Sequence, residues 1–361
     1  MRSYALKNFC FVCLFVIIFS TFVYAGGISE KLLNQAGLST VWQTAVALDA
    51  GENVQRIDIL GDYLYVLTDK NYLFCLDRNT GKSCFSATVA LPQMPVSAPS
   101  SYANMAYVVA ENKLIAFDTL QRTEISRMTL HIPVSAAAAA NKEYIYLPGM
   151  DKRLHVLDAN SGHELFKVTA DDFSAITSVS AAESSVTFAT AGGSIICMQA
   201  SSPKRIWQFN AVGGITAPFA SAANFIYAAS RDTNLYKIDA YSGKSVWNFP
   251  FHTGSVLTTS PRATQTTVYQ YAQNKGIYAI DANSGKQLWL LPDGEDLLAE
   301  NGSAAYIMDK NNNCVAMDNQ KAKKIYTINF APVTAYTANT SDAKIYIMDG
   351  KNISCIVPSA K

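Results

Sequence analysis

The chain has 361 residues, of which 29 are basic and 28 acidic, so its formal charge at neutral pH is +1. A nearly even balance lacks the basic footprint of a nucleic-acid binder, and no nucleic-acid partner is expected. Only 16% of the residues are charged; the polar remainder is rich in Ser, Thr, Asn and Gln, as suits a chain with many turns.

Residues 1–25 read as a cleaved signal peptide. Arg2 and Lys7 make a basic start, Phe9 to Val23 is mostly apolar, and Val23-Tyr-Ala25 before Gly26 fits a small-residue cleavage site. The run is short for a membrane span, with an uncleaved anchor as the alternative. Cys13 precedes Leu14, and no cysteine follows a small residue near the cleavage point, so no lipoprotein anchor is expected. The chain is therefore expected to be exported, in the periplasm or cell envelope or secreted, and not membrane-spanning once processed. Removing Arg2 and Lys7 turns the charge to −1. Residues 26–37 read as a short helix, capped by Ser29, with Leu32, Leu33 and Ala36 on its buried side and Gly37 at its end.

Residues 38–361 read as one domain built on a repeat. Asp77, Asp118, Asp158, Gln199, Asp239, Asp281, Asp318 and Val357 recur at intervals of 41, 40, 41, 40, 42, 37 and 39 residues. Each anchor ends a strand and can accept hydrogen bonds from the turn behind it. Eight residues after each anchor stand Phe85, Ser126, Phe166, Trp207, Trp247, Trp289 and Tyr326. The last anchor has no such residue, and Trp42 in Thr40–Val46 supplies it from the other end. All four tryptophans thus occupy one repeat position. Every unit divides into four strand-sized pieces; in blade five they are 214–220, 224–229, 234–239 and 245–249. Such a unit cannot bury both faces alone, but stacked radially each covers its neighbour. The expected fold is an all-β, eight-bladed β-propeller of four-stranded blades, closed by an N-terminal outer strand that completes the last blade.

The sequences Asp239-Ala-Tyr-Ser-Gly-Lys-Ser-Val-Trp247 and Asp281-Ala-Asn-Ser-Gly-Lys-Gln-Leu-Trp289 resemble the repeat of the pyrroloquinoline-quinone-like (PQQ-like) β-propellers. That resemblance implies either a quinoprotein dehydrogenase using PQQ with calcium, or a non-enzymatic scaffold of the BamB type, which serves outer-membrane protein assembly. Neither an adjacent Cys-Cys pair nor a Cys-x-x-Cys-His site occurs in the mature part. The anchor aspartates recur at one turn position, which marks them as structural. The reading is therefore a monomeric, non-catalytic binding or scaffolding propeller without cofactor or metal, with an envelope protein or peptide as partner. A PQQ-dependent enzyme and a cell-wall or glycan-binding module are the alternatives.

The other chemical residues are sparse. His131, His155, His163 and His252 show no metal-ligand spacing. Cys75, Cys197 and Cys355 share the position two before the anchor, where a small buried residue is expected; Cys75 and Cys84 flank one turn and are candidates for a disulfide. Turns between second and third strands and loops between blades share one face. That face is the candidate partner-binding rim: Lys70, Lys113, Lys152, Arg153, Arg231, Lys275 and Lys310, with Phe173, Phe251 and His252 from the blade-joining loops.

Overall fold

The structure, a computed structural model, describes residues 28–359; the leader at 1–25 lies outside them. Eight antiparallel four-stranded sheets follow one another along the chain. Blades one to three span 54–88, 100–129 and 139–169. Blade four is Ile176–Ala181, Ser185–Thr190, Ser194–Gln199 and Arg205–Asn210. Blades five to seven span 220–252, 262–291 and 294–329. Blade eight joins both ends of the domain: Val333–Thr337, Ile345–Asp349 and Asn352–Pro358 form its inner strands, and Leu38–Ala45 pairs outside them. The expected eight-bladed propeller with a split last blade is the observed fold. No helix among the described residues is long and apolar enough to cross a membrane.

No blade has a core of its own. The buried apolar residues fall into eight clusters, each shared by two successive blades. A row of three side chains across the middle of each blade builds these interfaces. In blade one Tyr65 faces Cys75, which faces Phe85. Blade six repeats this with Tyr269, Ala279 and Trp289, and blade eight with Tyr346, Cys355 and Trp42. The flanking rings approach to 6.4 Å, 5.8 Å and 6.1 Å between centroids. The middle residue is small, Ala or Cys, in these three blades, whereas blade five has the buried Lys237 between Tyr227 and Trp247, whose rings are 6.0 Å apart. Burial pushes the Cys355 thiol up to about 11, so this cysteine behaves as a small apolar residue. All five cysteines of the described part are unpaired, Cys75 and Cys84 included.

The fourth-strand tryptophan then reaches into the next blade. Its indole packs on the turn there, against a glycine for Trp42, Trp207 and Trp247, and Nε1 donates to the residue after that blade's anchor. Trp42 donates to Arg78 O at 3.1 Å, Trp207 to Ala240 O at 3.0 Å, Trp247 to Ala282 O at 3.1 Å and Trp289 to Asn319 Oδ1 at 3.0 Å. A Cβ on Gly285 would lie 2.8 Å from the Trp247 ring, and Gly285 also has φ +70°. The anchor carboxylates shape the same turns: Asp281 Oδ1 accepts from Ser284 N and Oγ, at 2.6 and 2.7 Å. These bonds hold the Asp281 carboxyl below the usual aspartate range, and Ser242 does the same for Asp239. The anchors thus act as turn caps.

The ladder departs from the expected strands in blade five. Its first paired strand is Ala220–Ala222 instead of 214–220, because Pro218 has no N–H to give a ladder. Its fourth strand is not continuous over 245–249. Ser245 bridges to Ile238, and pairing resumes only at Phe251–His252. Residues 248–250 loop out between them, which absorbs the long interval of 42 residues and leaves Phe249 84% exposed.

Outside blade eight, Glu30–Gln35 forms a short helix whose cap, Ser29, accepts from Leu32 N at 3.2 Å. Leu33 enters the cluster between blades seven and eight.

Deleting residues 38–48 should abolish cooperative thermal unfolding of the whole ring, because it removes Trp42 and opens an edge in blade eight; calorimetry checks this. Gly285→Ala should destabilise the protein by about 1–3 kcal/mol in denaturant titration, from backbone strain and the Trp247 contact together.

Candidate partner-binding face

Two connectors and two turns over blades three to five interlock through backbone and side-chain contacts. The connector into blade four is fixed at each side. Asp171 pairs with Arg205 at 2.6 Å, and Asp172 accepts from Thr190 Oγ1 at 2.5 Å and from Ser174 N at 3.0 Å. The turn of blade four, Ala191-Gly192-Gly193, packs beneath it, and a Cβ on Gly192 would collide with the Asp172 carboxylate. This explains why blade four alone offers no basic residue: its turn has no room for a side chain. Gly193 O accepts from Ala211 N at 2.9 Å and so joins the connector into blade five. Gly213 N then donates to Asp232 Oδ2 at 3.1 Å, and Arg231 N to Gly214 O at 2.9 Å.

The result is a fixed floor of glycines with apolar side chains beside it. Phe173 stands 69% exposed, and Val212 is 91% exposed. Phe173 has φ +50°, a left-handed conformation that is rare and costly for an aromatic residue. The acidic groups here are bonded to Arg205, Thr190 and Tyr236, with Asp171 and Asp172 still exposed. Arg231 is exposed and forms no ion pair among the described residues.

The comparisons with known proteins bear on this ring. The family model described as outer membrane protein assembly factor BamB matches residues 31–124 and 191–331. The chain belongs to the BamB family. Among solved structures, BamB from Moraxella catarrhalis aligns with a TM-score of 0.68 and 16% identity, over 89% of this chain and 97% of that one. The computationally designed Ika8 protein aligns with a TM-score of 0.65 and 13% identity, over 87% and 98%. Likeness at such identity speaks to the fold alone. No curated protein matches the chain in sequence.

Within this BamB-family ring the ten rim residues do not form one site. Lys152, Arg153, Phe173 and Arg231 lie on blades three to five. Lys70, Lys113, Lys275 and Lys310 are spread over other blades. Several are paired locally: Lys70 with Asp49 at 3.5 Å, Arg153 with Asp151 at 3.6 Å, and Lys310 with Asp293. Phe251 is not an exposed anchor; it is half-buried and packs edge-on against Tyr278 at 5.3 Å. His252 is exposed, with Nδ1 3.0 Å from Thr233 Oγ1.

One site-bearing residue stood out only in three dimensions. His155 is buried beneath the turn that presents Met150 and Lys152. Its Nδ1 lies 2.6 Å from Glu164 Oε2, and its Nε2 lies 3.0 Å from Asp151 Oδ1. The imidazole thereby clamps this turn to the fourth strand, leaving Met150 66% exposed. Burial works to raise the Asp151 carboxyl, but the bond and charge of His155 together with those of Arg153 outweigh it and hold Asp151 below its usual range. A depressed carboxyl adds stability above its unfolded value, and that stability is lost as pH falls through the folded value. In His155→Ala the Asp151 carboxyl should titrate upward toward about 4, read by carboxyl NMR, and the turn amides should exchange faster.

Proposed function

We propose that the chain is an exported, non-catalytic propeller that holds an envelope protein partner on the face over blades three to five. The carrying observation is Phe173: an aromatic held outward in a strained conformation by a loop pinned on both sides. Strain of this kind persists only where the surroundings impose it. A rigid exposed aromatic on loops interlocked with those that carry the exposed Val212 and the unpaired Arg231 suits a hot spot, since aromatic and arginine anchors dominate binding energy. Membership of the BamB family supports a protein partner, with the chain acting as a monomer in the periplasm or cell envelope.

The residues present do not suit a PQQ enzyme. Calcium takes six to eight oxygen ligands, and among the described residues no group of three or more His, Cys, Asp or Glu side chains is placed to hold a metal ion. A tricarboxylic quinone needs free cations. Arg56 at the ring axis is held by Asp58 at 2.6 Å and by Ser97 O at 2.7 Å, and Arg262 is doubly bonded to Asp296 at 2.9 and 2.8 Å.

Crosslinking of the tagged mature protein in its native envelope, followed by mass spectrometry, should recover recurrent protein partners. Phe173→Ala with Arg231→Glu should lower capture by tenfold or more, a loss of about 1.4 kcal/mol or above. Unchanged capture would place the site elsewhere. Retention on insoluble glycan without any protein partner would favour a wall-binding role.

A further inference from the structure

The outer strands of seven blades share one irregularity: the residue just before the outer aromatic position is extra to the ladder. In five of them, at Val41, Ile125, Leu165, Ile206 and Ile325, that residue is exposed. In blade one it is Cys84, which is only half-exposed and packs against the buried cluster that holds Cys75. Neighbouring residues of a regular strand point to opposite faces, so Cys84 would turn away from the core that Phe85 enters. The extra residue breaks that alternation. Phe85 stands opposite Cys75 and Ser83 opposite Leu76, with Cys84 bulged between them. The two thiols are close enough to perturb each other. No other blade has cysteine at both positions: Cys197 is matched with Ile206, and Cys355 with Val41.

We propose that Cys75 and Cys84 form a modification site, a dithiol that a small disulfide oxidant closes into an intrachain bridge across the bulge of blade one. The unpaired thiols of the structure are its reduced form. A bulge sets two residues against one. Opposed Cα atoms of an antiparallel pair lie about 4.5–5.5 Å apart, and a disulfide spans about 4.4–6.8 Å between Cα atoms. Cys75 is fully buried, so Cys84 is the sulfur that an oxidant from solvent can reach. Burial raises both thiols, and Arg122 opposes this at Cys84. The attacking thiolate is therefore scarce near neutral pH, and base assists closure. The Cys84 thiolate attacks the oxidant's disulfide and expels one half as a thiol. Cys75 then gives up its proton and attacks the Cys84 sulfur, expelling the other half. Two protein thiols lose two protons and two electrons, and the oxidant disulfide becomes two thiols. The bridge fastens the edge strand where its ladder is broken, beside Phe85, which stacks on Phe117 of blade two at 4.7 Å.

The test uses the full chain, folded and reduced, then freed of reductant and brought to equilibrium with oxidised glutathione at about pH 9, where more thiolate is present. The remaining thiols are alkylated in denaturant, and each cysteine is located by peptide mass spectrometry. The expected product has Cys75 and Cys84 bridged within one chain, with Cys197 and Cys355 still alkylated. These two share the repeat position of Cys75 and lack a cysteine across the bulge, so they serve as the internal control. In Cys84→Ser, Cys75 should stay a thiol. In Cys75→Ala, which installs the residue that blades two, six and seven carry there, Cys84 should stop at a mixed disulfide with glutathione. A wild-type chain in which both cysteines remain alkylated overturns the proposal. So does a mixed disulfide at Cys84 that Cys75 fails to resolve, or a bridge that joins Cys84 of two chains.

Discussion

Everything in this ring depends on the contact between one blade's outer aromatic and the next blade's turn. A four-stranded sheet of this size has two apolar faces and nothing within itself to cover them. Each of the eight buried clusters belongs to a pair of blades. The tryptophans make the contact directional. Each indole must find room above the turn, over Gly81, Gly243 or Gly285 in three of the four cases, and a carbonyl or amide oxygen at about 3 Å. That is a demand on geometry as well as on hydrophobicity, and it sets the angle between successive blades. Glycine is not obligatory at this turn position: Arg122 and Ala322 hold it in blades two and seven, with φ +60° and +54°.

This constraint explains which parts were legible in the sequence. The period, the anchor turns and the aromatic position repeat because every interface needs them, and Trp42 could be assigned to blade eight from spacing alone. The register bears this out, with Trp42 opposite Cys355 as Trp289 is opposite Ala279. The tyrosines of the second strands repeat equally well but stand among other apolar residues, so only the structure marks Tyr65, Tyr269 and Tyr346 as partners of the outer aromatics. The short inner strands were hidden because the first-strand segments near the axis look strand-like, and a single proline such as Pro218 decides where pairing begins. Phe251 was misjudged for a related reason. Two extra residues before it bulge outward, which exposes Phe249 and turns Phe251 inward against Tyr278.

The candidate face lies where the repeat makes no demand. Its loops are free to vary, and over blades three to five they are fixed by means that leave little trace in a sequence. Backbone packs on backbone at Gly192, Gly193, Gly213 and Gly214, and His155 closes on two carboxylates that lie four and nine positions from it. The glycine pairs and His155 were visible as residues, but their partners were not, since contact between loops of different blades has no period to betray it. Phe173 was legible as an exposed aromatic in a connector. Its positive φ, the observation that gives it weight, was not.

The split blade also governs when the protein can become itself. Trp42 and Cys355 are 313 positions apart, so the final pairing closes a loop that contains almost the whole domain. Bringing such ends together costs on the order of 5 kcal/mol in chain entropy before any contact forms. Blades can dock onto their neighbours as they emerge, because those contacts are local. The ring cannot shut until the last strand has been delivered. A chain threaded across a membrane from its N-terminus would hold its first strand in waiting until synthesis and transport are complete. Its slowest step is therefore placed at the end, and an incomplete molecule keeps an open edge for folding helpers or proteases to recognise.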